Sequence, residues 1–195
     1  SHKQYVARFR HLLPRIGVHI PIHGPNREVH DKLTLARKSF EQTVEGIKNV
    51  FDAFPAARIN IRILVHKQNY RHLDKTIAFI IKYFPKVNSI ILIYISMIGD
   101  AKKNYSDLFL KFSDLKVVLS NVLRTYSDRA SFLLFHVPYC ITDQEFWDLN
   151  AGRTLSEEQM EFPEQCSGCL MQEKCCGFWK STFNAELFAG VVPVK

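Results

Sequence analysis

The chain has 195 residues, 47% hydrophobic and 23% charged, which is the balance of a soluble globular domain with room for one core and a small appendage. That composition excludes disorder and a collagen-like repeat, and no apolar run reaches the length of a membrane-crossing helix. The net charge of +7 is uneven: residues 1–72 carry a net +8, residues 73–139 a net +4 and residues 140–195 a net −5. A basic body with an acidic tail suits an anionic ligand or partner for the body, although a solvated surface is the plainer account.

The N-terminal SHKQYVARFRHLL is basic but lacks a long apolar segment and a small-residue cleavage site, so a signal peptide is not expected. Residues Arg15 to His23, RIGVHIPIH, read as the first strand, ended by Gly24 and Pro25. A polar loop, GPNREVHDKLTLARK, follows. The first helix starts at Ser39, where Ser39 and Gln42 have capping-box spacing. Phe40, Val44, Ile47, Val50, Phe51 and Phe54 recur at helical intervals until Pro55.

RINIRILVH, Arg58 to His66, is rich in β-branched residues and reads as a second strand. A second helix is expected from about His72 to Phe84, with Leu73, Ile77, Ile80 and Ile81 on its apolar stripe. NSIILIYIS, Asn88 to Ser96, is nearly all apolar, as in a strand buried on both faces of a parallel sheet. The stretch MIGDAKKNYS reads as a loop, Asp114 to Tyr126 as a third helix, and Ser131 to Phe135 as a fourth, short strand. The order β-α-β-α-β-α-β predicts an α/β fold with a parallel sheet and right-handed crossovers.

Past Phe135 the character changes. The tail is acidic, contains both tryptophans, and has one short helix after Thr142, where Thr142 and Glu145 have capping-box spacing. The division expected is a body over 1–139 and a cysteine-rich tail over 140–195.

Ligands of parallel α/β sheets bind outside the carboxyl ends of the strands. Here those ends are His19–His23, His66–Asn69, Ser96–Asp100 and Phe135–Tyr139, and all are polar. Strand alternation places Asn60, Arg62 and Leu64 on one face, and a charge within a buried strand needs a partner.

All five cysteines lie in the tail: Cys140, Cys166, Cys169, Cys175 and Cys176. A C-x2-C turn lets two thiolates reach one metal; Cys175 supplies a third and Cys140 a fourth. Four thiolates suit a [4Fe–4S] cluster or a tetrahedral zinc, and the spacing does not decide between them. Cys176 is left over. Clustering of this kind fits a reducing compartment, the cytoplasm, better than a disulfide scaffold. The chain carries no phosphate loop, G-x-G-x-x-G, G-x-S-x-G or H-E-x-x-H. Bases and aromatics do not interleave on one short stretch, so nucleic acid is a weakly supported partner.

From Arg15 to Ser181 the chain resembles the C-terminal portion of radical S-adenosylmethionine enzymes of the His-Xaa-Ser system maturase family. The resemblance rests on HIPIHGPNREVHDKL, SFEQTVEGIKNV, INIRILVHKQN, MIGDAKKN, PYCITDQEFW and CSGCLMQEKCCGFWKS. It implies the later strands of a partial (β/α)6 barrel, a peptide substrate, and an auxiliary iron–sulfur or structural metal site at Cys140, Cys166, Cys169 and Cys175. It also implies a lumen face on which Arg62 pairs with the S-adenosylmethionine carboxylate. His19 and His23 would face the same lumen, and Asn69, Ser96 and Gly99 would stand at its rim. For the histidines, a core or solvated role is the plainer account. Asn69 serves equally well as a loop former, the His30–Asp31 pair as loop order, and His136 as packing.

Such enzymes hold their catalytic cluster with a C-x3-C-x2-C motif, and this chain has none. In isolation it is not expected to cleave S-adenosylmethionine; a missing half or a second chain would have to supply that motif. No catalytic residue is assigned. The alternative is a non-catalytic, metal-stabilised module that grips a peptide or nucleic acid.

Overall fold

Four short runs rich in apolar residues become the strands of one parallel sheet in the computed structural model, which describes residues 2–182 and 192–195. A short helix α1 (Lys3–Phe9) precedes β1 (Gly17–Pro21), α2 (Arg27–Thr34), α3 (Ser39–Ala53) and β2 (Arg58–Val65). A single 3-10 turn leads into α4 (Leu73–Tyr83), followed by β3 (Ser89–Tyr94), α5 (Asp100–Lys103), α6 (Tyr105–Leu108), α7 (Phe112–Tyr126) and β4 (Phe132–Phe135). The strands lie in the order β1-β2-β3-β4, all parallel, as the alternating pattern predicted.

The register puts Ile20, Ile61, Ile90 and Phe132 in one row, and their face of the sheet forms the core with the helices. Ile59, Ile61, Ile63 and Val65 are all at most 1% exposed. Each such side chain contributes roughly 1.5–3 kcal/mol on burial, so this face anchors the fold. The opposite face carries His19, Asn60, Arg62, Leu64 and Leu133, and Arg62 and Leu133 there are exposed.

The stretch 24–38, expected as a loop, contains α2. Asn26 caps this helix by accepting from the Val29 amide, and His30 is the residue it buries. The expected capping box at Ser39 is not used. Lys38 is the N-cap of α3 in a left-handed conformation, and the Asp31 carboxylate accepts the amides of Lys38 and Phe40. Ser39 Oγ instead lies 2.8 Å from Thr34 Oγ1. Asp31 therefore orders the loop, in agreement with the sequence reading of the His30–Asp31 pair. The stretch after β3 also departs from expectation, because it folds into the two short helices α5 and α6.

The tail runs through 3-10 turns and a two-stranded antiparallel ribbon, β5 (Met160–Glu161) with β6 (Phe178–Trp179). Thr142 does not cap its helix; its hydroxyl donates to the Tyr139 carbonyl, and Glu145 pairs with Arg124. Ile141, Phe146, Cys166 and Phe178 join the same buried cluster as the sheet residues, and the Phe178 ring meets Phe112 at 5.3 Å. Arg124 on α7 reaches both Asp143 and Glu145, at 2.8 and 3.0 Å, so acidic tail meets basic body there. Residues 183–191 of the tail lie outside the described residues.

The two edges of the sheet differ. At β4 the tail crosses the edge, with the Ala151 amide donating to the Leu134 carbonyl at 2.9 Å. At β1 no strand pairs with the outer edge among the described residues. No described helix is long and apolar enough to cross a membrane.

Candidate functional site

Two groups of chemically capable side chains stand out, one in the tail and one at the carboxyl ends of β1 and β2. In the tail, Cys140 sits on the 3-10 turn that follows β4, and Cys166 ends the 3-10 turn 164–166. The Cys169 amide donates to the Cys166 carbonyl at 3.0 Å, which is the tight turn expected of C-x2-C. Cys140, Cys166, Cys169 and Cys175 line one cavity of about 10 Å³, walled by Tyr139, Phe162, Met171, Gln172, Phe178 and Pro193. Cys176 is not among the lining residues. All five cysteines are free thiols.

The electrostatics of the four are uneven. Burial pushes the Cys140 thiol up to about 12, helped by the neighbouring sulfurs of Cys175, Cys166 and Cys169. Burial likewise raises Cys166 to about 11, with Cys175 and Cys169 adding to it. Cys175 moves the other way, down to about 6. The neighbouring Cys176 side chain, the backbone of Gly177 and Tyr139, and the positive charge of Arg153 favour its thiolate, which together outweigh its burial. The site thus stabilises one thiolate and crowds the other thiols against it, an arrangement that a bound cation relieves.

Among the described residues, no three Cys, His, Asp or Glu side chains already stand in a metal-holding arrangement. The four cysteines therefore share a cavity without being closed into a ligand shell. Their chemistry fits a thiophilic metal: four soft donors, an apolar wall, and surroundings that favour one thiolate. The part of Cys176 was not readable from spacing. The vicinal Cys175–Cys176–Gly177 run was the available signal, with Gly177 at φ 62°, where a Cβ would stand 3.1 Å from the Phe162 ring.

At the other group, Asn69 is 2% exposed and its amide is fully used. It accepts the His66 amide at 3.0 Å and donates to the carbonyls of Leu64 and His23 at 2.8 and 3.4 Å. Asn69 shapes the loop after β2. His23 has left the strand: its amide donates to His30 Nδ1 at 3.1 Å, and the two rings stack at 5.8 Å. Burial, and then the charge of His30, lower His23 to about 4; burial, and then His23, lower His66 to about 4. All three rings are thus held neutral near neutral pH, and His23 Nδ1 is buried with no hydrogen-bond partner among the described residues.

The remaining predicted positions stay apart. His19 is exposed on the open face, 3.5 Å from Asn60 Nδ2. Arg62 stands on the same face, and no carboxylate pairs with it among the described residues. Its charge, after burial, helps depress His136, which ends β4 at φ 58° and packs on Trp179 at 4.8 Å. His136 does not line the cysteine cavity. Gly99 has φ 56° and open space where a Cβ would stand. Ser96 follows β3, outside both groups.

No family model matches the chain, and no curated protein matches it.

Proposed function

We propose that the chain is the C-terminal part of a radical S-adenosylmethionine maturase that modifies a peptide, with its cysteine-rich extension holding an auxiliary [4Fe–4S] cluster. The observation that carries this reading is the gathering of Cys140, Cys166, Cys169 and Cys175 around one cavity while Cys176 lies outside it. The parallel order β1-β2-β3-β4 with an open face bearing His19, Asn60 and Arg62 supports the later strands of a partial barrel, its lumen on that face. A guanidinium with no carboxylate paired to it among the described residues suits the carboxylate of S-adenosylmethionine or of a peptide substrate. Five free thiols suit a reducing compartment such as the cytoplasm.

The cofactor supplies a radical that abstracts hydrogen from a substrate residue. This chain has no C-x3-C-x2-C motif to hold the cluster that generates the radical, so no step of that chemistry falls to its own residues. Their part is to bind and orient: Arg62 holds a carboxylate, and the cysteine centre fastens the tail beside the sheet. A missing N-terminal half or second chain completes the site.

One observation favours a second reading of the metal. A cavity of about 10 Å³ takes a single water-sized sphere, which suits one tetrahedral ion such as zinc better than a cubane. A zinc centre of this kind is a structural site, which suits the same maturase part as well as a metal-stabilised module without catalysis.

Anaerobic purification with iron, sulfide and zinc analysis separates the two. About four irons and four sulfides per chain, with a visible absorption band, establish the cluster. About one zinc with no visible band establishes a structural zinc site. A folded protein that holds neither metal, and whose Cys169→Ser variant is equally stable, overturns both.

A further inference from the structure

Bases and aromatics that are far apart in sequence meet in space. A cavity of about 490 Å³ lies between the loop after β2 and the segment joining β3 to α7. It is lined by Lys67, Tyr70 and Arg71 from the first segment and by Tyr105, Phe109 and Lys111 from the second, with Asp114 on its rim. We propose that this cavity binds a nucleoside phosphate, the aromatic side chains stacking the base and the three cations holding the phosphate.

The walls are fixed by the fold. The Lys67 amide donates to the Leu108 carbonyl at 3.1 Å, and Lys67 Nζ donates to the Ser106 carbonyl at 2.8 Å, so the two loops are tied together. Behind them, buried Tyr94 donates its hydroxyl to the Leu110 carbonyl at 2.8 Å. The Tyr105 and Phe109 rings stack 4.7 Å apart at 16°, forming one rigid aromatic wall. Opposite them the Arg71 guanidinium lies 5.5 Å from the Tyr70 ring centroid, and its Nε donates to the Tyr70 hydroxyl at 2.9 Å. Both walls are thus held before any ligand arrives, which lowers the ordering cost of binding.

Charge selects the ligand. Three cations and one carboxylate line the cavity, and none of the three is paired with a carboxylate among the described residues. A bare phosphate leaves the aromatic wall unused, and an uncharged ring leaves the cations uncompensated. A planar base carrying a phosphate meets both, and the volume is that of an ordinary small-molecule pocket. The cavity shares no lining residue with the cysteine cavity, Arg62 does not line it, and it does not depend on the function proposed above.

The test is calorimetric titration of the whole chain with AMP, adenosine, inorganic phosphate and a short single-stranded oligoadenylate. Saturable AMP binding, with adenosine and phosphate at least roughly tenfold weaker, is the expected result. Arg71→Gln and Lys111→Gln should each weaken AMP about tenfold, and Asp114→Asn should strengthen it. Both glutamine variants are at exposed positions, and circular dichroism checks their fold. If the oligoadenylate binds far more tightly than AMP and is weakened by the same variants, the ligand is a nucleotide unit of a single strand. If AMP binds no better than phosphate, if neither nucleotide ligand saturates, or if binding is indifferent to Arg71 and Lys111, the proposal is wrong.

Discussion

Lowering the pH should unfold this protein through two histidines. His66 is 4% exposed, and His23 stacks on His30 with a buried ring nitrogen that has no hydrogen-bond partner among the described residues. Burial takes both from 6.5 to about 4. The sign follows from proton counting. Below pH 6.5 the unfolded chain binds protons that the folded chain refuses, so stability is full above 6.5, falls between 6.5 and about 4, and levels off below that. A shift of that size corresponds to about 3 kcal/mol for each ring. The pair amounts to somewhat less than twice that, because the repulsion between His23 and His66 is shared. Against a whole-domain stability of roughly 5–15 kcal/mol, this is enough to unfold the chain.

Urea denaturation followed by tryptophan fluorescence, repeated at steps from pH 7 to 4.5, reads the effect. Carboxylates and thiols also titrate, so the comparison is with His66→Gln and His23→Gln, in which those groups cancel. Each variant should lose stability less steeply than the parent, by roughly 1 kcal/mol per pH unit within the window. If parent and variants fall in parallel, the histidines are not buried neutral and the reasoning fails.

In the tail, Cys169→Ser should sharply lower the metal bound per chain and Cys176→Ser should retain it, as read by elemental analysis. Chelation should raise hydrogen exchange across residues 140–182 while β1 to β4 stay protected, because ligation and folding of such a segment are one free energy. Asp31→Ala removes the acceptor for two amides at the start of α3 and should lower the thermal midpoint by several degrees, with Asp31→Asn recovering part of the loss. Gly24→Ala would place a Cβ 2.6 Å from the Val29 side chain and 2.9 Å from the His30 amide nitrogen, so it should destabilise by about 1–3 kcal/mol in the same melts.

What the sequence disclosed follows the range of its signals. The strands were legible because unbroken apolar runs such as Ile90 to Tyr94, and alternating ones such as Ile59 to Val65, have few other uses, and their parallel order followed from helix-length crossovers. The eight-residue α2 was missed because Gly24, Pro25 and Asn26 look like a loop, while Asn26 is in fact its cap. The spacing Ser39/Gln42 and Thr142/Glu145 misled in both places, since Asp31, Tyr139 and Arg124 offered better partners from outside the local window. The cysteines were readable as a group because their spacing is local. The nucleotide-sized cavity was not, because Lys67, Tyr70 and Arg71 lie some forty residues before Tyr105, Phe109 and Lys111 and only the sheet brings them together.

The unequal edges of the sheet give it a direction of extension. The β4 side is crossed by its own tail, and among the described residues the outer edge of β1 has no paired strand. Any strand that continues the sheet in the same sense must enter beside β1 with its carboxyl end next to Pro21. Whatever side chain it carries there would arrive one strand spacing from Pro21 and two from Arg62, its register neighbour on β2, about 10 Å away. A chain that extended the sheet in this sense would add its chemistry at the end where Arg62 stands on the open face with no carboxylate paired to it among the described residues.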